Sequence, residues 1–355
     1  MLRELTGILT AHALRYPSMA PCDAVKLIFQ NEFGGGHLIT DPGQSLNWLR
    51  AEYKSTVHDP DAPLAEDIGN GMVRIMLSAL KADELETLNA DFVRSARCHT
   101  GNHVIFQQKI GLLQELVRQG VFGFPACELE DYLEKYMDAG CPPVSHSPEY
   151  RAAYRPAYRV VKRSASKLLL FRKLDEFRTQ NKRAIIAIDG RCASGKTSLA
   201  KQIEETFGFS AIHMDHFFLR PEQRTVERYA VPGENIDHER FLEEMLLPLR
   251  RGQTPVYRPF DCQTQKLLEP IPFTTSPVVV VEGSYSCHSA LWEYYDLRVF
   301  LTIDAQRQME RILARDGVEY ADTFRRKWIP LEEQYFSDCQ IEPRCDYQIE
   351  LCGYS

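Results

Sequence analysis

The chain has 355 residues, a formal net charge of −7, and 44% hydrophobic and 26% charged residues. That balance excludes a disordered chain, the charge gives no broad basic footprint for nucleic acid, and no apolar run is long enough to span a bilayer. The length predicts two domains, and ten cysteines without a Cys-x-x-Cys pair read as reduced thiols of a cytoplasmic enzyme rather than as disulfides.

Residues 1–163 read as a mainly α-helical accessory domain without an assigned function. Asp23 to Glu32, Gln44 to Thr56, His103 to Arg118 and Leu129 to Asp138 carry apolar residues at helical spacing, separated by Gly, Pro and Asp. Two stretches stand out: Phe33-Gly34-Gly35-Gly36-His37, and Ser145-His146-Ser147-Pro148-Glu149-Tyr150 followed by Tyr154 and Tyr158. The triple glycine permits a close backbone approach by a ligand or a helix, or else forms a flexible turn, and the tyrosines read as an aromatic core stripe. Cys98-His99 with His103 would supply only part of a zinc site, and since its other ligands have no evident source the reading stays with reduced thiols. Residues 164–182 form a connecting basic amphipathic helix, with Leu168, Leu169, Phe171, Leu174 and Phe177 on its apolar side.

From residue 183 to 355 the rhythm turns to alternating strand and helix, which predicts an α/β domain with a parallel sheet of about five strands. Strands are expected near Ala184 to Ile188, Ser210 to Met214, Val278 to Val281, Arg298 to Ile303 and Tyr347 to Leu351. The first leads into Gly190-Arg191-Cys192-Ala193-Ser194-Gly195-Lys196-Thr197, then Ser198 and an amphipathic helix. Glycines at both ends let the backbone N–H groups turn inward on phosphate oxygens, Lys196 brings a positive charge to the β and γ phosphates, and Thr197 offers a hydroxyl to Mg²⁺. The residues of this loop, with Ser198, are the candidate nucleotide-binding set, for ATP or GTP.

In such sheets ligands gather at the carboxyl ends of strands. That rule selects Gly190, Asp215, Glu282 and Asp304. Asp215 is the candidate base for an attacking hydroxyl. Glu282, closing the apolar run Val278-Val279-Val280-Val281, is with Thr197 the candidate Mg²⁺ ligand pair. Arg311 and Arg315 share a helical face beyond Asp304, and Arg315 is the candidate cation for charge developing on the leaving phosphates.

These motifs, in this order, resemble the uridine kinase and phosphoribulokinase group of P-loop kinases, a group that also resembles bacterial pantothenate kinase. The resemblance covers residues 183 to 351. Met214-Asp215-His216-Phe217-Phe218 looks like the Asp-x-Phe motif bearing the group's catalytic base. Gly233-Glu234-Asn235-Ile236-Asp237-His238 resembles a stretch whose aspartate, at Asp237 here, contacts the acceptor sugar. Thr254-Pro255-Val256-Tyr257 looks like the Pro-x-Tyr segment of the acceptor pocket, Val281-Glu282-Gly283 the strand-end Glu-Gly, and Arg307 to Arg315 the lid. Pro330 to Phe336 resembles the group's C-terminal helix. After Tyr257 the chain runs Arg258-Pro259-Phe260-Asp261-Cys262-Gln263, without the histidine that nucleoside kinases of the group place there.

The resemblance implies a small-molecule kinase that moves the γ-phosphoryl of ATP or GTP to a hydroxyl of a nucleoside or related metabolite. Asp215, Lys196 and Arg315 would be catalytic, and Asp237, Tyr257 and Arg228 would line the acceptor pocket. A non-nucleoside alcohol, pantothenate or a sugar acid, is the alternative acceptor, and a nucleotide-dependent regulatory protein the alternative class. The expected partner is a small-molecule hydroxyl acceptor, with neither nucleic acid nor membrane, and self-association into a homo-oligomer is left open.

Overall fold

The computed structural model describes residues 2–39, 41–99 and 101–350. The chain divides into two compact units, Met1–Leu168 and Leu169–Ser355.

In the N-terminal unit the helices begin where the sequence offers a cap. Asp41 accepts the Gln44 N–H at the start of Pro42–Ser55, and Asn102 accepts the Val104 and Ile105 N–H groups at the start of His103–Arg118. Helices Leu2–Arg15, Pro21–Phe33, Leu85–Cys98 and Ala126–Asp138 complete the main set. Leu5, Leu9, Leu27, Ile28, Phe106 and Leu113 are fully buried in the core they share, the largest favourable contribution to this unit's stability.

One element departs from the helical expectation. Three antiparallel strands, β1 (Ala65–Gly69), β2 (Met72–Met76) and β3 (Tyr158–Lys162), form a sheet in the order β1-β2-β3. Its middle strand buries Arg74, whose guanidinium donates to Gln30 and Glu66 and lies over the Tyr158 ring. Gly35 packs where an added Cβ would fall 2.6 Å from the Phe92 ring, so at least one glycine of the triplet serves close packing. His99 Nε2 bonds the Glu32 carbonyl (2.6 Å) and His103 packs on Phe33. The Cys98 side chain lies outside the described ones.

The second unit is built on a five-stranded, all-parallel sheet in the order β12-β11-β4-β10-β5. Its strands are β4 (Ala184–Gly190), β5 (Ser210–His213), β10 (Val278–Glu282), β11 (Leu297–Thr302) and β12 (Tyr347–Glu350). Between β5 and β10 two short ribbons pair β6 (Val256–Tyr257) with β9 (Ile271–Pro272), and β7 (Phe260–Asp261) with β8 (Lys266–Leu267). β4 and β10 are buried along their whole length, as parallel strands covered on both faces must be. Leu170, Leu174 and Phe177 of the helix Lys167–Thr179 pack with Leu199 and Ile203 against the sheet's apolar side chains. The predicted strand end Leu351 lies outside the described residues, and Met214 belongs to a 3₁₀ turn, Met214–Phe217, rather than to β5. That turn carries Asp215.

Candidate functional site

The loop after β4 contains two kinds of backbone N–H. Those of Gly190, Arg191, Cys192 and Ser194 are engaged within the fold, by Asp189 Oδ1 (2.7 Å), the Leu301 carbonyl (3.0 Å), Glu332 Oε2 (3.0 Å) and the Arg191 carbonyl (3.1 Å). Those of Ala193, Gly195, Lys196, Thr197 and Ser198 have no partner among the described residues. The free donors therefore cluster where the loop enters the helix Lys196–Phe207, whose dipole adds positive potential. Ser194 Oγ is buried with no partner. An orphaned hydroxyl beside five free amides fits a phosphate chain.

Backbone conformation fixes this cradle. Gly190 has φ +133°, and an added Cβ would sit 2.0 Å from the Leu301 carbonyl oxygen. Gly190→Ala is therefore expected to destabilise the chain by about 2–4 kcal/mol, combining strain with overpacking. Thermal unfolding of the variant checks this, and an unchanged midpoint would contradict the geometry.

Lys196 is buried, and its Nζ donates to the carbonyls of Gly190 (2.7 Å) and Arg191 (3.0 Å). No carboxylate pairs with it among the described residues, so its charge is held in place for an anion. Arg191, in contrast, is not a free cation. Its guanidinium is bidentate to Glu333 (2.7 and 3.0 Å) and also reaches Thr302 and Glu342. The expectation that Arg191 belongs to the binding set is corrected for its side chain, which fastens the loop to the C-terminal helices.

Two buried acids that the sequence reading passed over hold the site together. Asp189, at the end of β4, accepts from the N–H groups of Gly190, Tyr285 and Cys287 and from the Tyr335 hydroxyl. It ties the loop to the turn after β10, and burial pushes its pKa up to about 6. Glu332 bridges the Cys192 N–H and the Ser284 hydroxyl (2.5 Å). Asp189 directly follows the apolar run Ala184 to Ile188, where the strand-end rule could have found it.

Beside the loop, parallel register sets Glu282 level with Ile188 on one side and His213 on the other. Its buried carboxylate accepts from Thr197 Oγ1 (3.2 Å) and is hydrogen-bonded to His213 Nδ1. The hydroxyl and carboxylate named from sequence thus meet, a donor set suited to a hard cation. His213, absent from the sequence reading, has its pKa raised chiefly by the bond to Glu282.

Asp215 follows on the 3₁₀ turn. The residue is exposed overall, though protein crowds its carboxyl group, and among the described residues it makes no hydrogen bond or ion pair. The surrounding protein first and the Glu282 charge second raise its pKa, while Lys196, His213 and Arg315 pull it down. Among the described residues it neither caps a helix nor forms a salt bridge. Asp304 does cap a helix, accepting from Gln306 and Arg307 N–H.

The helix Ala305–Thr323 carries the predicted lid and breaks at Gly317 (φ 78°, ψ 175°). Arg311 Nη1 bonds the Ala193 carbonyl (3.1 Å). Arg315 is exposed and paired with Asp316 (2.8 Å), yet its charge acts on Asp215.

On the acceptor side the expectations divide. Tyr257 is buried, its hydroxyl 3.2 Å from His216 Nδ1 and its ring stacked with those of His216 and Phe217. Asp237 and Arg228 are committed elsewhere. Asp237 is buried, caps the turn at Arg240 and pairs with that side chain at 3.2 Å. Arg228 donates to the Glu234 and Ile236 carbonyls and to Glu239. Both are corrected from open acceptor ligands to braces of the loop Gly233–Asp237.

Among the described residues one group has metal-ligating atoms close together: Glu234, His238 and His288. The Ala290 N–H donates to His288 Nδ1 (3.2 Å), which leaves the proton on Nε2, facing Glu234 at 3.7 Å. Arg228 already supplies a cation 3.1 Å from Glu234. The group reads as a hydrogen-bonded brace, not a metal centre.

A parallel sheet with this loop after its central strand, and carboxylates beyond both strands on one side of it, defines a P-loop nucleotide-binding domain of the kinase type. Residues 185–323, within the second unit, match the model of the Phosphoribulokinase / Uridine kinase family. Among solved structures, a possible uridine kinase from Bacillus stearothermophilus is 20% identical, covering 51% of this chain and 98% of its own, with a TM-score of 0.36. D-glycerate 3-kinase from Cryptococcus neoformans var. grubii is 16% identical, covering 47% of this chain and 88% of its own, with a TM-score of 0.33. The tRNA-specific adenosine deaminase subunit tad2 of Schizosaccharomyces pombe is 33% identical over 149 residues, 40% of this chain. The chain thus spans about a third, 36%, of that relative's length. No helix among the described residues is long and apolar enough to cross a membrane.

Proposed function

We propose that the second unit transfers the γ-phosphoryl group of ATP or GTP to a hydroxyl of a small metabolite, a nucleoside or related ribose compound first. The observation that carries this reading is Asp215: a carboxylate without a partner among the described residues, within the field of Lys196 and Glu282, beyond the end of β5 on the far side of β10 from the phosphate loop. Asp215 takes the proton from the acceptor hydroxyl as its oxygen bonds to the γ-phosphorus, and the bond from that phosphorus to the bridging oxygen breaks, releasing the nucleoside diphosphate. The free amides of Ala193 and Gly195 to Ser198 and the Lys196 ammonium bind the phosphates. Thr197 and Glu282 fit Mg²⁺, which would supply charge neutralisation on the phosphate oxygens. Arg315 stabilises the charge left on the departing group once it leaves Asp316.

The wall formed by Tyr257, His216 and Phe217 supports an acceptor with a flat or ring-shaped face. The alternative acceptor, pantothenate or a sugar acid, draws support from the commitment of Asp237 and Arg228, which leaves the sugar contact implied by resemblance without its side chain.

The pH dependence tests the base. Asp215 works ionised and its pKa is raised, so kcat/KM should climb with pH through a limb above the ordinary aspartate range and plateau beyond it. An acid limb at or below the ordinary range would contradict this assignment.

A further inference from the structure

The N-terminal unit contains a cavity of about 310 Å³, within the range that holds a small metabolite. Both motifs that stood out in its sequence reach it: His37 follows the glycine triplet, and Ser145, His146 and Tyr158 come from the second stretch. Helix Pro21–Phe33 contributes Lys26 and Gln30, one turn apart.

The polar groups here are ordered by a buried chain. Asp23 is fully buried, accepts from Ser147 and the Ala20 N–H, and bonds His146 Nδ1 at 2.7 Å. With Nδ1 carrying the proton, His146 Nε2 accepts the Tyr158 hydroxyl at 2.6 Å. Gln30 Oε1 accepts from Arg74, which turns its amide N–H₂ toward the same hydroxyl. Arg159 and Glu52 pair at 2.6 Å on the cavity's wall.

Lys26 breaks the pattern of satisfaction. It is partly buried, and Nζ donates to the Val144 carbonyl (2.5 Å), but among the described residues no carboxylate pairs with it. Its remaining N–H groups have no protein partner among those residues, nor do the ring nitrogens of exposed His37 and the hydroxyl of exposed Ser145, and all three residues line the cavity. A partly buried cation without a counter-ion gains from an anion that joins it.

We propose that this cavity binds a small oxyanion, the carboxylate or phosphate group of a metabolite, on the Lys26 ammonium, with His37 and Ser145 as further hydrogen-bonding groups. The site lies wholly in the N-terminal unit and does not rest on the kinase reading. Burial, with Arg74 and Arg151 nearby, lowers the Lys26 pKa to about 8, and a bound anion would raise it.

Reductive methylation of the full-length chain with formaldehyde and cyanoborohydride, read as the mass of the Lys26 peptide over time at pH 8, tests this without altering the protein. Lys26 should be labelled ahead of the surface lysines. Acetate or inorganic phosphate, against chloride at equal ionic strength, should slow Lys26 alone, by about tenfold at ten times the dissociation constant. Protection by acetate assigns a carboxylate ligand and protection by phosphate a phosphate ligand. If neither anion slows Lys26, or if all lysines slow together, the proposal is overturned.

Discussion

Asp215→Asn is expected to lower turnover by about 100- to 10,000-fold, the range a positioned general base contributes, while nucleotide affinity changes little. The side chain is nearly isosteric, exposed, and free of hydrogen bonds or ion pairs among the described residues, so its replacement should move stability by no more than about 0.5 kcal/mol. The substitution removes a charge near Lys196 and Glu282, and the raised acid limb of kcat/KM should disappear with it. Steady-state kinetics alongside nucleotide titration separates the two effects, because loss confined to kcat marks an interaction made in the transition state. Equal activity in the variant and the wild type would remove Asp215 from the chemistry.

Lys196→Met should abolish detectable turnover and weaken triphosphate binding by about 100-fold or more, the magnitude of a lost charge-assisted contact in a desolvated site. The methionine keeps much of the buried stem, but the carbonyls of Gly190 and Arg191 lose the ammonium that now bonds them. Some loss of affinity therefore comes from a looser loop. Fluorescent-nucleotide titration measures the sum. A variant that bound triphosphate as tightly as the wild type would show that the lysine braces the loop without meeting phosphate.

How much of this was readable in sequence depended on how local each determinant is. The loop's place between strand and helix follows from residues within about ten positions of one another, and β-branched runs mark β4 and β10 as strands buried on both faces. Other features have no local signature. β2 pairs with β3 across more than eighty positions, Met72 opposite Lys162, and its buried arginine spoils the alternation by which a strand is recognised. Asp189 follows directly on an apolar run, but only the fold shows four donors converging on it.

Arg228 and Asp237 show the complementary difficulty. Residue type announces that a guanidinium and a carboxylate are present, but whether each is free depends on carbonyls and side chains that the chain brings round from other segments. The helix-capping position of Asp237 and the three-way grip of Arg228 on Glu234, Ile236 and Glu239 are tertiary facts. The same holds for Lys26, whose lack of a counter-ion among the described residues becomes visible only once the cavity walls are assembled.

The central claim, that this site moves a phosphoryl group onto an alcohol, is tested most directly by incubating the purified chain with ATP, Mg²⁺ and separate nucleosides, pantothenate and sugar acids, and following both ADP and the acceptor's mass. The account predicts ADP formed in step with one acceptor, which gains a single phosphoryl group. ATP consumed only in the presence of a protein partner, with every acceptor unmodified, would contradict it.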